Sequence, residues 1–185
     1  MSFKYYKDQY DRDTNSEGKL PLISNEIDST RAYEWEVQIS IPGTIFDSTD
    51  YTLGAKRVNG GGMAVEKIQV DRVNDKVFYP GKVTPDELTI TFDNLKESKL
   101  LNKLYEVFKE VYDPTTGYFY PNGDTVPKGD IKVYQLDHKR SPISLTTYVG
   151  TFMRTWNPMD WDYSRNEFHE IECTFSYDFI VQDEA

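Results

Sequence analysis

From residue 171 to 179 the chain alternates without a break: Ile171, Cys173, Phe175, Tyr177 and Phe179 are apolar, and Glu172, Thr174, Ser176 and Asp178 between them are polar. A period of two belongs to a β-strand with one face in a core and the other in water. The same pattern recurs at residues 33–41, where Tyr33, Trp35, Val37, Ile39 and Ile41 point one way and Glu34, Glu36, Gln38 and Ser40 the other, until Pro42-Gly43 ends it. Further strands are predicted over residues 51–57, 64–71, 76–79 and 86–93, with Asn74-Asp75 as a turn and Leu88, Ile90 and Phe92 facing inward.

The period then changes. Leu101, Leu104, Phe108 and Val111 recur at three and four, predicting one amphipathic helix over about residues 95–112. Asn94 followed by Glu97 has the spacing of a capping box, and Asp113-Pro114 is a stop. After a turn-rich stretch at 115–130, strands are predicted at 131–136, 143–154 and 168–181. One helix among seven or eight antiparallel strands gives a mainly β fold, a barrel or sandwich with a single covering α-helix, occupying residues 32–185. The 14 Tyr, 10 Phe and 3 Trp favour such half-buried pleated surfaces.

Residues 1–31 are polar and lack periodicity, with Gly18 and Pro21 as breaks. Two readings stand side by side: a disordered tail, or an N-terminal arm that orders against a partner through Phe3, Tyr5, Tyr6, Tyr10, Leu20, Leu22 and Ile23.

Charge narrows the partners. Lys and Arg total 21 against 31 Asp and Glu, a net charge of −10, and from Asp160 onward eight carboxylates face the single Arg165. Such a surface is not built to grip nucleic acid or an anionic membrane. No stretch approaches the roughly 20 apolar residues that span a bilayer, and the first residues lack the apolar core of a secretory signal. Cys173 is the only cysteine, so no intrachain disulfide forms and folding in a reducing cytoplasm is expected.

No catalytic set emerges. Asn59-Gly60-Gly61-Gly62 lacks the Lys-Ser/Thr and the helix of a phosphate cradle and reads as a flexible loop. His169 and Cys173, placed on one strand face, would stand about 13 Å apart, too far to share a zinc ion. Carboxylates two apart, Glu34/Glu36, Asp160/Asp162 and Glu170/Glu172, would lie roughly 6 to 7 Å apart, within the span that glycoside hydrolysis uses. With Trp156, Trp161 and Tyr163 nearby, a polysaccharide-binding or -cleaving β-sandwich is the alternative from another class. No cofactor or metal is expected.

Two blocks carry a family resemblance. The first is Glu66-Lys67-Ile68-Gln69-Val70, Lys76-Val77-Phe78-Tyr79-Pro80-Gly81 and Asp86-Glu87-Leu88-Thr89-Ile90-Thr91-Phe92-Asp93-Asn94 leading into the helix; the second is Asn157-Pro158, Asp160-Trp161-Asp162-Tyr163 and Asn166-Glu167 before the terminal strand. Over about residues 31–181 the chain resembles the tail tube protein of contractile-tailed bacteriophages, a family related in fold to the tube of the type VI secretion system. It departs from that pattern in its longer N-terminal arm and in the aromatic, turn-rich loop at 112–130, features that would suit a tube-initiating or baseplate-proximal relative.

The resemblance implies a structural virion protein without enzymatic activity. Hexameric rings would stack into the inner tube of a contractile tail, a conduit through which DNA passes without specific binding. Its partners would be further copies of itself, the tail sheath, a baseplate or tube initiator, and a tail terminator, with no membrane involved; a secretion-type tube shares the fold and differs in cargo. The expected contacts between stacked subunits are Phe3, Tyr5, Tyr6, Tyr10 and Leu22 in the arm, with Gly60, Gly61, Gly62 and Met63 in the glycine-rich loop. Glu66, Glu87, Glu170, Glu172 and Asp178 are the acidic residues expected to face the lumen or the sheath, where an acidic wall would repel the DNA phosphates.

Overall fold

The computed structural model describes residues 32–41, 54–97, 99–121, 126–164 and 166–184. The chain divides into two units, Met1–Glu34 and Trp35–Ala185. The first falls almost wholly outside the described residues, and with it Phe3, Tyr5, Tyr6, Tyr10 and Leu22; the described strands and helix all belong to the second.

Eleven strands and one described helix run in the order β1 (Trp35–Ser40), β2 (Ala55–Asn59), β3 (Met63–Asp71), β4 (Lys76–Pro85), β5 (Leu88–Asp93), α1 (Leu100–Val111), β6 (Tyr112–Asp113), β7 (Tyr118–Phe119), β8 (Gly129–Leu136), β9 (Pro142–Pro158), β10 (Glu170–Ser176) and β11 (Phe179–Glu184). All described pairings are antiparallel. The main sheet runs β1-β8-β9-β10-β5-β2, with β11 also on β9. It is an open path and not a closed barrel, so the fold is the mainly β, single-helix architecture read from the sequence without the closure a barrel would need.

The spine is β9, 17 residues long. Its first half pairs with β8 on one edge and β11 on the other, and its second half pairs with β10. The expected single terminal strand is therefore split in two at Tyr177-Asp178. Pairing nevertheless carries straight across the split, from Ser176↔Phe152 to Phe179↔Val149, with the Asp178 amide donating to the Val149 carbonyl at 2.9 Å.

A bulge explains how β9 serves both halves. Ile131 pairs with Tyr148 and Gly129 with Thr151, so β9 carries one extra residue there, which bends a strand and increases its twist. Gly150 takes φ 69°, a left-handed conformation that glycine adopts without steric cost. The Thr151 hydroxyl, buried at the bend, donates to the Tyr148 carbonyl at 2.8 Å.

Most of the alternating residues fill the core as expected, but those at the ends do not: Tyr33, ahead of β1, and Phe179, at the start of β11, are exposed. Val37, Leu88, Ile90, Phe92, Ile171, Cys173 and Phe175 are fully buried. Helix α1 closes over them with Leu100, Leu104 and Val107 and packs against β9, where Tyr105 and Trp156 meet with ring centroids 4.9 Å apart. Its start departs from expectation. The N-cap is Lys99, left-handed at φ 52° and without a side-chain cap bond, whereas the expected capping residue Asn94 receives the end of β5: its amide donates to the His169 carbonyl at 2.9 Å. The end of β5, fixed by that bond, leaves five more residues before the helical turn begins.

Candidate assembly interface

Beyond the point where β10 ends, β2 and β5 do not stop. Asn59 pairs with Thr89, the Asp86 amide donates to the Gly62 carbonyl at 2.8 Å, and Met63 pairs with Pro85. Register is kept throughout, so the β3–β4 hairpin is the same ribbon extended past the sheet. Among the described residues its strands pair only with each other, and every residue of β3 is exposed.

Yet the ribbon is apolar. Ile68 opposes Tyr79 and Val70 opposes Val77 on one face, while Met63 and Val65 oppose Pro85 and Val83 on the other. The register shift between Val65 and Lys67, opposite Val83 and Pro80, adds one residue to β4 beside Gly81. The apolar stripe thereby lies on one face at the base and on the opposite face toward the tip. A two-stranded ribbon alone is marginally stable in water, and exposed apolar area of this kind marks a surface that another molecule covers.

The glycine run at its base is built for close approach, correcting the expectation of a flexible loop. A Cβ on Gly60 would meet the Tyr148 hydroxyl at 2.8 Å, and one on Gly61 would lie 2.5 Å from the Tyr177 hydroxyl and 2.8 Å from the Glu87 carbonyl oxygen. The Tyr177 hydroxyl donates to the Gly62 carbonyl at 2.8 Å, and the two tyrosines pack edge to face with centroids 5.0 Å apart. Burial holds both phenols above the ordinary tyrosine value, Tyr177 with a further push from Tyr148 and Asp86. Met63 follows as an exposed residue at the start of β3.

The five acidic residues fall into different environments. Glu66 is exposed on the hairpin. Glu87 pairs with Arg154, Glu170 with Lys56, and Asp178 with Lys128 at 2.7 and 2.8 Å. The hydrogen bond to Glu170 holds the Lys56 ammonium above its usual value, with Asp93 adding attraction. The Asp178 carboxylate also occupies the space a Cβ on Gly150 would need. Glu172 stands on the outward face of β10 beside Thr91 of β5 and Asn157 of β9.

The residues weighed for chemistry divide: Asp160, Trp161, Asp162, His169 and Glu170 line one open cleft of about 220 Å³ with Met159, Glu167 and Phe168, and Cys173 and Trp156 are not part of it. His169 precedes β10, where its ring stacks on Trp161 at 3.9 Å and its Nε2 lies 3.1 Å from the Met159 carbonyl oxygen. Cys173 is buried, and burial pushes its thiol up, the setting of an inert core cysteine. Trp156 is half-buried against Tyr105, which withdraws it as a sugar platform, and Asp162 accepts from the Ser164 amide and hydroxyl at 2.8 and 2.7 Å. Among the described residues no group of three or more His, Cys, Asp or Glu could hold a metal ion, and no helix is long and apolar enough to cross a membrane. An apolar groove of about 480 Å³ beside Phe108, Phe119 and Phe152 has Tyr112 and Arg154 in its lining but no carboxylate, histidine or cysteine.

The loop at residues 159–169, between β9 and β10, holds Trp161 and Tyr163, which the sequence singled out with Asp160 and Asp162, and also Phe168, which the sequence placed in the terminal strand. Trp161 is 72% and Phe168 89% exposed, and Tyr163 is fully so, beside Asp160, Asp162 and Glu167.

No family model matches the chain, and no curated protein matches it. Solved structures do. A chain of the cryo-EM structure of the anti-feeding prophage baseplate, 6-fold symmetrised, superposes with a TM-score of 0.66 at 12% identity, over 84% of this chain and 95% of that one. A chain of the sheath-tube complex of the extracellular contractile injection system PVC, in its extended state, gives 0.65 at 14% identity, over 85% and 93%. A chain of the anti-feeding prophage tube-terminating cap gives 0.66 at 14%, over 85% and 93%. This chain therefore has the fold of chains found in contractile injection assemblies, as the sequence blocks suggested.

Proposed function

We propose that this protein is a structural, non-enzymatic subunit of the tube of a contractile injection apparatus, its copies forming hexameric rings that stack into a hollow conduit inside a sheath. The observation that carries the reading is the unfinished sheet: on a fold shared with such assemblies, β2 and β11 each present one edge without a described partner, and an apolar hairpin projects from it. Open strand edges invite pairing. A neighbouring copy that adds its own strand to them turns a liability into a ring contact.

Terminator, baseplate and sheath proteins are the remaining partners in this reading, and the site of action is the tail or injection particle. The arm at residues 1–31 and Gly60 to Met63 belong to the contacts between subunits. Deleting residues 2–28 should leave the β domain folded and shorten or abolish tubes; tubes of normal length would count against a role for the arm.

The cargo is DNA if the particle is a phage tail, as the sequence resemblance implies. Glu66 and Glu172, with the more compensated Glu87, Glu170 and Asp178, would then face lumen or sheath. Replacing several of the lumen-facing ones by Lys should spare assembly yet slow DNA passage in a salt-relieved manner. Electron microscopy of the concentrated protein tests the reading as a whole. Rings and tubes are expected, and a chain that stays monomeric even with baseplate components present would sink it.

A further inference from the structure

The geometry points to a head-to-tail contact in which the β3–β4 hairpin of one copy seats on the acidic aromatic loop 159–169 of a second copy; this rests on the tube reading and names the surface that receives the hairpin. Strand β5 separates the two. It begins at Leu88, opposite Phe175, directly after the hairpin, and ends at Asp93, opposite Glu170. There the Asn94 amide holds the His169 carbonyl, and the Met159 amide donates to the Glu170 carbonyl at 3.2 Å, closing the base of the loop. The hairpin and the loop thus leave from opposite ends of the same strand pair, about 17 Å apart along it, and the hairpin's register carries it further away.

Two surfaces at opposite ends of one molecule cannot satisfy each other within that molecule. Between copies they form a heterologous contact, which propagates into a stack.

The chemistry of the two ends is matched. In a chain of net charge −10, residues 63–85 hold Lys67, Arg72, Lys76 and Lys82 against Glu66, Asp71 and Asp75. The loop holds Asp160, Asp162 and Glu167 against Arg165 alone, Glu170 at its end being paired with Lys56. Both ends expose large apolar side chains, Ile68, Val70 and Tyr79 on the hairpin and Trp161, Tyr163 and Phe168 on the loop. Lysine already lies over an aromatic ring within the hairpin, Lys67 Nζ being 4.3 Å from the Phe78 centroid, and the loop offers the same kind of ring to the cations at the tip. Complementary charge fixes the register of such a contact and excludes hairpin against hairpin or loop against loop.

Val73 at the tip and Tyr163 in the loop are both fully exposed, and Cys173 is buried. The full chain carrying Val73→Cys and Tyr163→Cys, treated with a short bismaleimide after assembly, should give a ladder of covalent multimers, and either cysteine alone should not. A second arm uses charge. Lys67→Glu with Lys76→Glu, and separately Asp160→Lys with Glu167→Lys, should each shorten stacks at least tenfold. Mixing the two variants should restore them, because each then meets its complement. Circular dichroism matching the unaltered chain shows that the variants fold. Stacks that form normally from either charge variant alone, or a doubly cysteine-bearing tube that yields no ladder, would overturn the contact while leaving the tube reading standing. An unaltered chain that never forms rings overturns both.

Discussion

Tyr177 shows what a single hydroxyl does here. It donates to Gly62 and packs on Tyr148 where the ribbon leaves the sheet. Tyr177→Phe should cost about 1 kcal/mol and speed amide exchange in the hairpin more than in the core, as hydrogen-exchange mass spectrometry would show. Both phenols titrate above the ordinary value near 10. Their neutral forms are favoured in the folded state, so this contribution is whole below pH 10 and is lost as pH rises through the folded values. Gly61→Ala should be worse, since the new methyl meets the Glu87 backbone; a loss of about 1 to 3 kcal/mol in urea melts is expected. The sequence made these glycines visible but pointed to the wrong reason, because close approach to tyrosines more than 80 residues away leaves no local trace. Asp137 behaves oppositely to the phenols. Amides of Ser141 and Lys139 donate to it and hold its carboxyl below the usual aspartate range. The stability it adds is present at neutral pH and disappears as pH falls through its depressed value, so Asp137→Ala should flatten the acid limb of an unfolding profile.

At the scale of elements, burial decided which sequence signals could be trusted. Where one face is buried, a slip of one residue would turn every side chain to the wrong side, so β1, β5 and β10 followed their alternation closely. Phe175 is fully enclosed between β5 and β9; Phe175→Ala should cost about 3 to 5 kcal/mol in chemical denaturation and lower soluble yield. The hairpin was legible as two strands but not as a ribbon outside the sheet, because its apolar residues serve a surface the single chain lacks. The capping box failed for a tertiary reason: Asn94 is engaged by His169. The split at Tyr177-Asp178 escaped because alternation runs through it unchanged; only the left-handed Gly150 across from it and the Lys128–Asp178 pair mark the corner.

For the whole molecule, net charge sets a condition on assembly. Copies at −10 repel one another at long range, and salt screens that repulsion, whereas hairpin and loop attract at short range. Light scattering across a salt series should therefore show stacking fastest at intermediate ionic strength, and a rate falling steadily from the lowest salt would mean that attraction governs throughout. The long strand β9 has a mechanical consequence. Both halves of the sheet hang on one unbroken backbone, held on the β10–β11 side by a ladder without a slip at the bend. With pairing unbroken on that side of the bend, the β domain of each subunit should behave as a stiff tile. Flexure in any shaft made from such tiles would be confined to the joints between them, and a thrust at one end would arrive at the other with little lost to deformation of the parts.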